Sequence, residues 1–202
     1  MRRMTLWAAG ALVLALAGCA SAPEPADRRD LGGVPTFDAV ADLPREVQVA
    51  ALRDAILALG PGVDPDEAAR AAQVAYDWTD ELVRQYQIVD PPLVHNMKVN
   101  AGLKPRGLCW HWAEDMERRL LAENFQTLDM HRAIANADRA FRIDHSTAII
   151  SLKGEGMYDG IVLDPWRTGG ELVWVRTTAD KYPWEPQRTV LARKAERLAR
   201  AQ

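Results

Sequence analysis

The hydrophobic periodicity of this chain changes at Asn124, and no other feature narrows its fold as far. Before that point apolar residues recur every three or four positions, the period of a helix with one buried face. After it they alternate or run in short β-branched stretches, as strands do. From Pro44 to Leu59 the residues Val47, Ala51, Ile56 and Leu59 mark one helical face, and Gly60-Pro61-Gly62 stops it. Asp64-Pro65-Asp66-Glu67 is a strong second start. Asp64 can accept from the free N–H groups of the first turn, Pro65 has no N–H to lose there, and Glu67 sits where a capping acid belongs. That helix is predicted to run to Ile88, with Ala68, Ala72, Ala75, Trp78, Thr79, Leu82 and Tyr86 along its stripe, until Asp90-Pro91-Pro92 ends it. Residues 93 to 108, with Asn96, Asn100, Gly102, Pro105 and Gly107, read as a loop. A third helix is predicted from Cys109 to Glu123, its apolar side formed by Trp112, Met116, Leu120 and Leu121.

Beyond Asn124 the segments Thr127 to Ala135, His145 to Leu152, Gly160 to Asp164 and Glu171 to Thr177 are bounded by Gly, Asn and Asp and read as an antiparallel sheet. From Glu185 onward a basic helix is predicted to lie on the surface. Helices first, then a cysteine-bearing helix, then strands make an α+β pattern, with helices packed on a small antiparallel sheet. Of the 202 residues 48% are hydrophobic and 26% charged, so one domain with a full core is affordable. The formal net charge is −3. Such an acidic balance argues against a nucleic-acid partner, which would need a clustered basic surface.

The N-terminus reads as a leader. Arg2 and Arg3 precede a short apolar stretch from Thr5 to Gly18, too short to span a bilayer comfortably. Its end, Leu16-Ala17-Gly18-Cys19, resembles the bacterial lipobox. The resemblance implies cleavage before Cys19, acylation of that cysteine and partnership with a membrane, since several acyl chains anchor stably where one would not. Residue 20 is Ala and not an acid, so the expected address is the bacterial cell envelope, at the outer membrane facing the periplasm. The expected organisation is a leader over 1–18, a flexible Pro- and Gly-bearing tether over 19–43, and one domain over 44–202. With Cys19 taken by lipid, Cys109 has no partner in its own chain, although the envelope would allow disulfides.

Cys109 stands in Arg106-Gly107-Leu108-Cys109-Trp110-His111-Trp112, where a loop turns into a helix. Unpaired N–H groups and the helix dipole favour an anion there. A thiol nucleophile needs a base, and the base an orienting partner. His145 opens one predicted strand and Asp164 closes another, so neighbouring strands can bring them together. His95, His111 and His131 are expected to be structural or on the surface. Cys-x-His lacks the usual zinc spacing, and neither a metal nor a cofactor is expected. Trp110, Trp112, Trp166, Trp174 and Trp184 are expected mostly in the core.

Gly-x-Cys-Trp at a helix start, a His at a strand start and Asp-Pro-Trp after a later strand resemble the transglutaminase-like core, which shares its first element with papain-type peptidases. The resemblance covers about residues 95 to 178. It implies Cys109 as nucleophile, His145 as general base and acid, and Asp164 as the group that fixes the imidazole. The oxyanion donors would come from Asn100 or Asn96 and the backbone N–H of Trp110. The implied activity is acyl transfer from protein or peptidoglycan peptides, to water or to an amine. A second reading keeps the same fold as a silent binding or scaffolding module.

Overall fold

Pairing between successive strands organises the C-terminal half of the molecule. The computed structural model describes residues 35–201. In it β1 (Leu128–Ala135), β2 (His145–Leu152), β3 (Ile161–Asp164), β4 (Val173–Arg176) and β5 (Glu185–Pro186) form one open antiparallel sheet in the order β4-β3-β2-β1-β5. The β1–β2 register runs from Leu128 opposite Leu152 to Ala135 opposite His145, which puts His145 at one end of the sheet.

Both faces of the sheet are covered, and so β2 is buried at seven successive positions. Leu128, Ala148, Ile150, Ile161 and Leu163 pack on one face under α2 (Arg45–Leu57), α3 (Pro65–Gln85) and α5 (Cys109–Leu121), in a core that includes Leu52, Ile56, Tyr76, Met116 and Leu120. The other face carries Ala133, Ala135, Ile149 and Val162, closed by Met157, Tyr182 and Trp184. Side chains alternate along a strand, so His145 shares this second face with Ile149, and Asp164 shares it with Val162. The α+β arrangement of helices on an antiparallel sheet is therefore present.

The start of α3 forms as its sequence requires, with one difference. Asp64 Oδ1 accepts from the N–H groups of Asp66 and Glu67, both at 2.9 Å. Glu67 does not reach back to complete a capping box. Its carboxylate accepts from the N–H of Gln126 (2.7 Å), the N–H of Thr127 (2.8 Å) and the Thr127 hydroxyl (2.6 Å), tying α3 to the approach of β1. These bonds outweigh burial and hold the carboxyl below its ordinary range.

Three expectations need correction. Residues 93 to 108 are not all loop, because α4 (Pro92–Asn100) occupies most of them. Pro92 sits in its first turn, where a missing N–H costs nothing, so the proline pair ends one helix and begins the next. The tether expected over 19–43 is folded where it can be seen: α1 (Phe37–Val40) buries Phe37 and Val40 in the main core, so the domain begins by residue 37 and not at 44. The terminal helix α6 (Gln187–Arg200) starts two residues after Glu185, since Glu185 and Pro186 pair with Ile134 and Ala133 as β5. It lies on the surface with Val190 as its buried residue. The leader over 1–18 and Cys19 lie outside the described residues. Among those described, no helix is long and apolar enough to cross a membrane.

Candidate active site

The turn before Cys109 is held by bonds that its own sequence supplies. Gly107 has a φ of 121°, and a Cβ there would lie 2.4 Å from Nε2 of His95 on α4. Glycine alone lets the loop lie this close to that buried ring. His111 Nδ1 accepts from the N–H groups of Gly107 and Leu108, both at 3.1 Å, and Trp112 Nε1 donates to the Gly107 carbonyl at 3.1 Å. Burial, then the Arg106 charge, pull the His111 imidazole down to about 4. A neutral ring can accept two N–H bonds where an imidazolium could not. The first N–H groups of α5, on Cys109 and Trp110, thus stand at the positive end of a helix with no intrahelical acceptor.

His145 and Asp164 meet across the β2–β3 edge. His145 donates through Nε2 to Asp164 Oδ2 at 2.6 Å, with the two side chains 2% and 1% exposed. Nδ1 of the same ring is buried and has no hydrogen-bond partner among the described residues. With Nε2 engaged by Asp164, Nδ1 is the nitrogen left for the Cys109 thiol, which is close enough to interact with the ring. Burial pulls the imidazole down, but the charge and hydrogen bond of Asp164, followed by Cys109, more than offset it and push the ring up to about 9. Burial likewise works against the Asp164 charge, yet His145 and Arg167 hold that carboxyl below its ordinary range. The thiol itself points its proton at the carbonyl of Asp144, at 3.4 Å, beside His145 in the chain.

Three aromatic rings enclose the imidazole. The centroids of Trp166, Tyr182 and Trp184 lie 4.7, 4.7 and 5.2 Å from it. Trp166 Nε1 donates to Asn96 Oδ1 at 3.1 Å, which ties this wall to α4. Of the upstream amides, Asn96 therefore reaches the site. Asn100 is exposed at the end of α4, and no hydrogen bond joins it to these residues. Trp110 is not in the core. Its side chain is 46% exposed and its ring centroid lies 3.8 Å from that of His111, while its backbone N–H is one of the free donors of the first turn of α5. Arg167 follows Asp164 by three residues, whereas Tyr182 and Trp184 have no local motif to mark them. Tyr182 and Trp184 arrive only because β5 returns to the far side of β1.

A thiol, an imidazole and a buried carboxylate, in that order, can move a proton from sulfur to ring and stabilise the resulting cation. This defines an α+β domain with a thiol–imidazole–carboxylate constellation at the head of a helix. No protein-family model, curated protein or solved structure matches the chain.

Proposed function

We propose that this domain is a thiol acyl-transfer enzyme of the transglutaminase-like, papain-related kind. The observation that carries the reading is the 2.6 Å His145–Asp164 bond, made on the nitrogen that leaves Nδ1 for Cys109. The reacting form is a thiolate–imidazolium pair, the Cys109 proton having passed to His145 Nδ1, and the thiolate attacks an amide or ester carbonyl. The oxyanion develops against the N–H groups of Cys109 and Trp110. As the tetrahedral species collapses, His145 returns the proton to the departing amine or alcohol, leaving a thioester on Cys109. Water or an amine then resolves it by the same steps in reverse order, and Asp164 keeps the imidazole in the productive tautomer throughout. Acid–base assistance of this kind supplies roughly 10²–10⁴-fold of the rate. The reaction as written needs no cofactor. The lipobox-like segment ending at Cys19 supports a membrane-tethered envelope enzyme acting on proteins or peptidoglycan peptides.

A silent binding module is the second reading. The 6% exposure of Cys109 favours it, because a macromolecular substrate must reach the sulfur. The two are separated by iodoacetamide alkylation of the full chain over pH 5–10, with modification at Cys109 and Cys19 resolved by peptide mass spectrometry. Rapid alkylation of Cys109 near neutral pH that collapses in His145→Ala supports the enzyme. A slow reaction following an ordinary thiol near 8.5, indifferent to His145, leaves the binding module.

A further inference from the structure

Asp164 is not held by His145 alone. Arg167 Nε donates to Asp164 Oδ2 at 3.0 Å, the same oxygen that His145 uses, and its backbone N–H donates to Oδ1 at 3.3 Å. The far end of the guanidinium forms a fork on Asp180, Nη1 to Oδ1 at 3.0 Å and Nη2 to Oδ2 at 2.7 Å. Asp180 accepts in addition from Trp184 Nε1 at 2.8 Å and from the Tyr182 N–H at 3.4 Å. The side chains of Arg167, Asp164 and Asp180 are 14%, 1% and 2% exposed.

A buried Asp–Arg–Asp chain is a poor way to stabilise a fold. Desolvation of the ions can exceed their mutual attraction, and apolar residues of similar volume often serve as well or better. Its location suggests another use. Starting from Cys109, the groups run thiol, imidazole, carboxylate, guanidinium, carboxylate, with charge able to alternate at every step. Both outer residues also hold the walls of the site. The Arg167 guanidinium lies over the Tyr182 ring at 4.8 Å, Trp184 is bonded to Asp180, and both rings lie against His145.

We infer that Arg167 and Asp180 are positioning residues that set the proton affinity of His145 and aim its ring at Cys109. Arg167 draws on the Asp164 charge through the shared oxygen, and Asp180 offsets that draw. Cys109 from α5 and Asp164 from β3 act on the imidazole directly, Arg167 from the turn after β3 acts on Asp164, Asp180 from the segment before β5 acts on Arg167, and the Tyr182 ring lies against His145. Arg142 of the β1–β2 loop bears on Tyr182. Asp144, next to His145, is paired with Lys194 of α6. The catalytic meaning of the inference rests on the thiol-enzyme reading, whereas the coupling of charges does not.

The test is the titration of His145 by NMR in the isotope-labelled full chain, assigned against His145→Ala, for the wild type, Arg167→Gln and Asp180→Asn. Removing a cation raises the proton affinity of the imidazole and removing an anion lowers it. The two variants are therefore expected to move His145 in opposite directions, each by about half a pH unit or more, the effect of a unit charge one side chain further out at the high effective dielectric of proteins. Loss of order would instead move both toward the solvated value of about 6.5. Shifts in the same direction, or no shift, overturn the inference. Arg167→Lys keeps the cation but cannot grip both carboxylates. It is expected to leave the titration near the wild-type value while slowing Cys109 alkylation severalfold, and a titration displaced as far as that of Arg167→Gln also overturns the charge coupling. Should opposite shifts appear while wild-type Cys109 alkylates as an ordinary thiol, the coupling stands and the enzyme reading falls.

Discussion

Replacing Asp164 by asparagine isolates the charge on which the site depends. In the folded chain the imidazole of His145 is raised from 6.5 to about 9, against the pull of burial, chiefly by the Asp164 charge and hydrogen bond. At 1.36 kcal/mol per pH unit, that rise is worth about 3 kcal/mol. The sign follows from the folded value lying above the unfolded one. This stability is fully present below pH 6.5 and is lost as the pH rises through about 9. Asparagine has a similar shape but no charge, so burial then acts on the imidazole without its main opponent. Asp164→Asn is expected to cost about 3 kcal/mol more at pH 6 than at pH 9.5. The weakened bond to Arg167 adds a cost common to both conditions. The assay is urea denaturation followed by tryptophan fluorescence at the two pH values, wild type against variant. A destabilisation equal at both within about 1 kcal/mol, the size of a single net hydrogen bond, would mean that His145 is not held as a cation, and the argument from Asp164 would fail.

Three further outcomes are expected. Glu67→Ala leaves the part-buried N–H groups of Gln126 and Thr127 without their acceptor and should cost about 2 kcal/mol, a fall of about 4–8 °C in Tm by calorimetry. Because the Glu67 carboxyl is held below 4.5, its contribution is present above that pH and disappears as the pH falls through the folded value, so wild type and variant should converge in acid. Gly107→Ala puts a Cβ at φ 121° and 2.4 Å from His95, forcing that ring away from the Arg106 carbonyl it now meets at 2.8 Å. Backbone strain of about 1–3 kcal/mol should lower Tm, and misplacement of the turn should slow Cys109 alkylation. Asp64→Ala removes the acceptor for two N–H groups of α3 and should cost about 1 kcal/mol, or about 2–4 °C, with Cys109 reactivity unchanged.

What could be read of the fold came from residues whose effect is local. Asp64-Pro65 caps a helix through atoms two and three positions away, and the short run at residues 145–152, free of Gly and Pro, suits a strand covered on both faces. Errors arose where the same residue serves two local rules. Pro91-Pro92 terminates α3's neighbourhood and also starts α4, and composition cannot choose between these. Phe37 and Val40 sit among prolines and charges that resemble a tether, and only contact with the distant core buries them. Glu67 occupies a capping position by sequence, yet Thr127 draws it away across 60 positions of chain.

The site divides along the same line. Cys109, His145 and Asp164 could be picked out because each falls at the end of an element, and element ends are visible in sequence. In an antiparallel sheet, adjacent ends are also near one another in space, and the β2–β3 pairing duly brings His145 within 2.6 Å of Asp164. Asn100 is a weaker choice because it is the last residue of a helix the sequence did not reveal, exposed at that helix's end. Once residues 92–100 are helical, it is Asn96, one turn back, that reaches Trp166. Arg167 could have been suspected, three residues after Asp164 with a proline-led turn between them, since such a turn returns a long cation onto the carboxylate it follows. Nothing local could have joined it to Asp180, Tyr182 and Trp184. Their place depends on β5 crossing to the far side of β1, a long-range closure set by the packing of Trp184 against Ala133, Ile149 and Val162. The groups named for the bond-making steps are thus local features of the chain, while those that tune them are products of its topology.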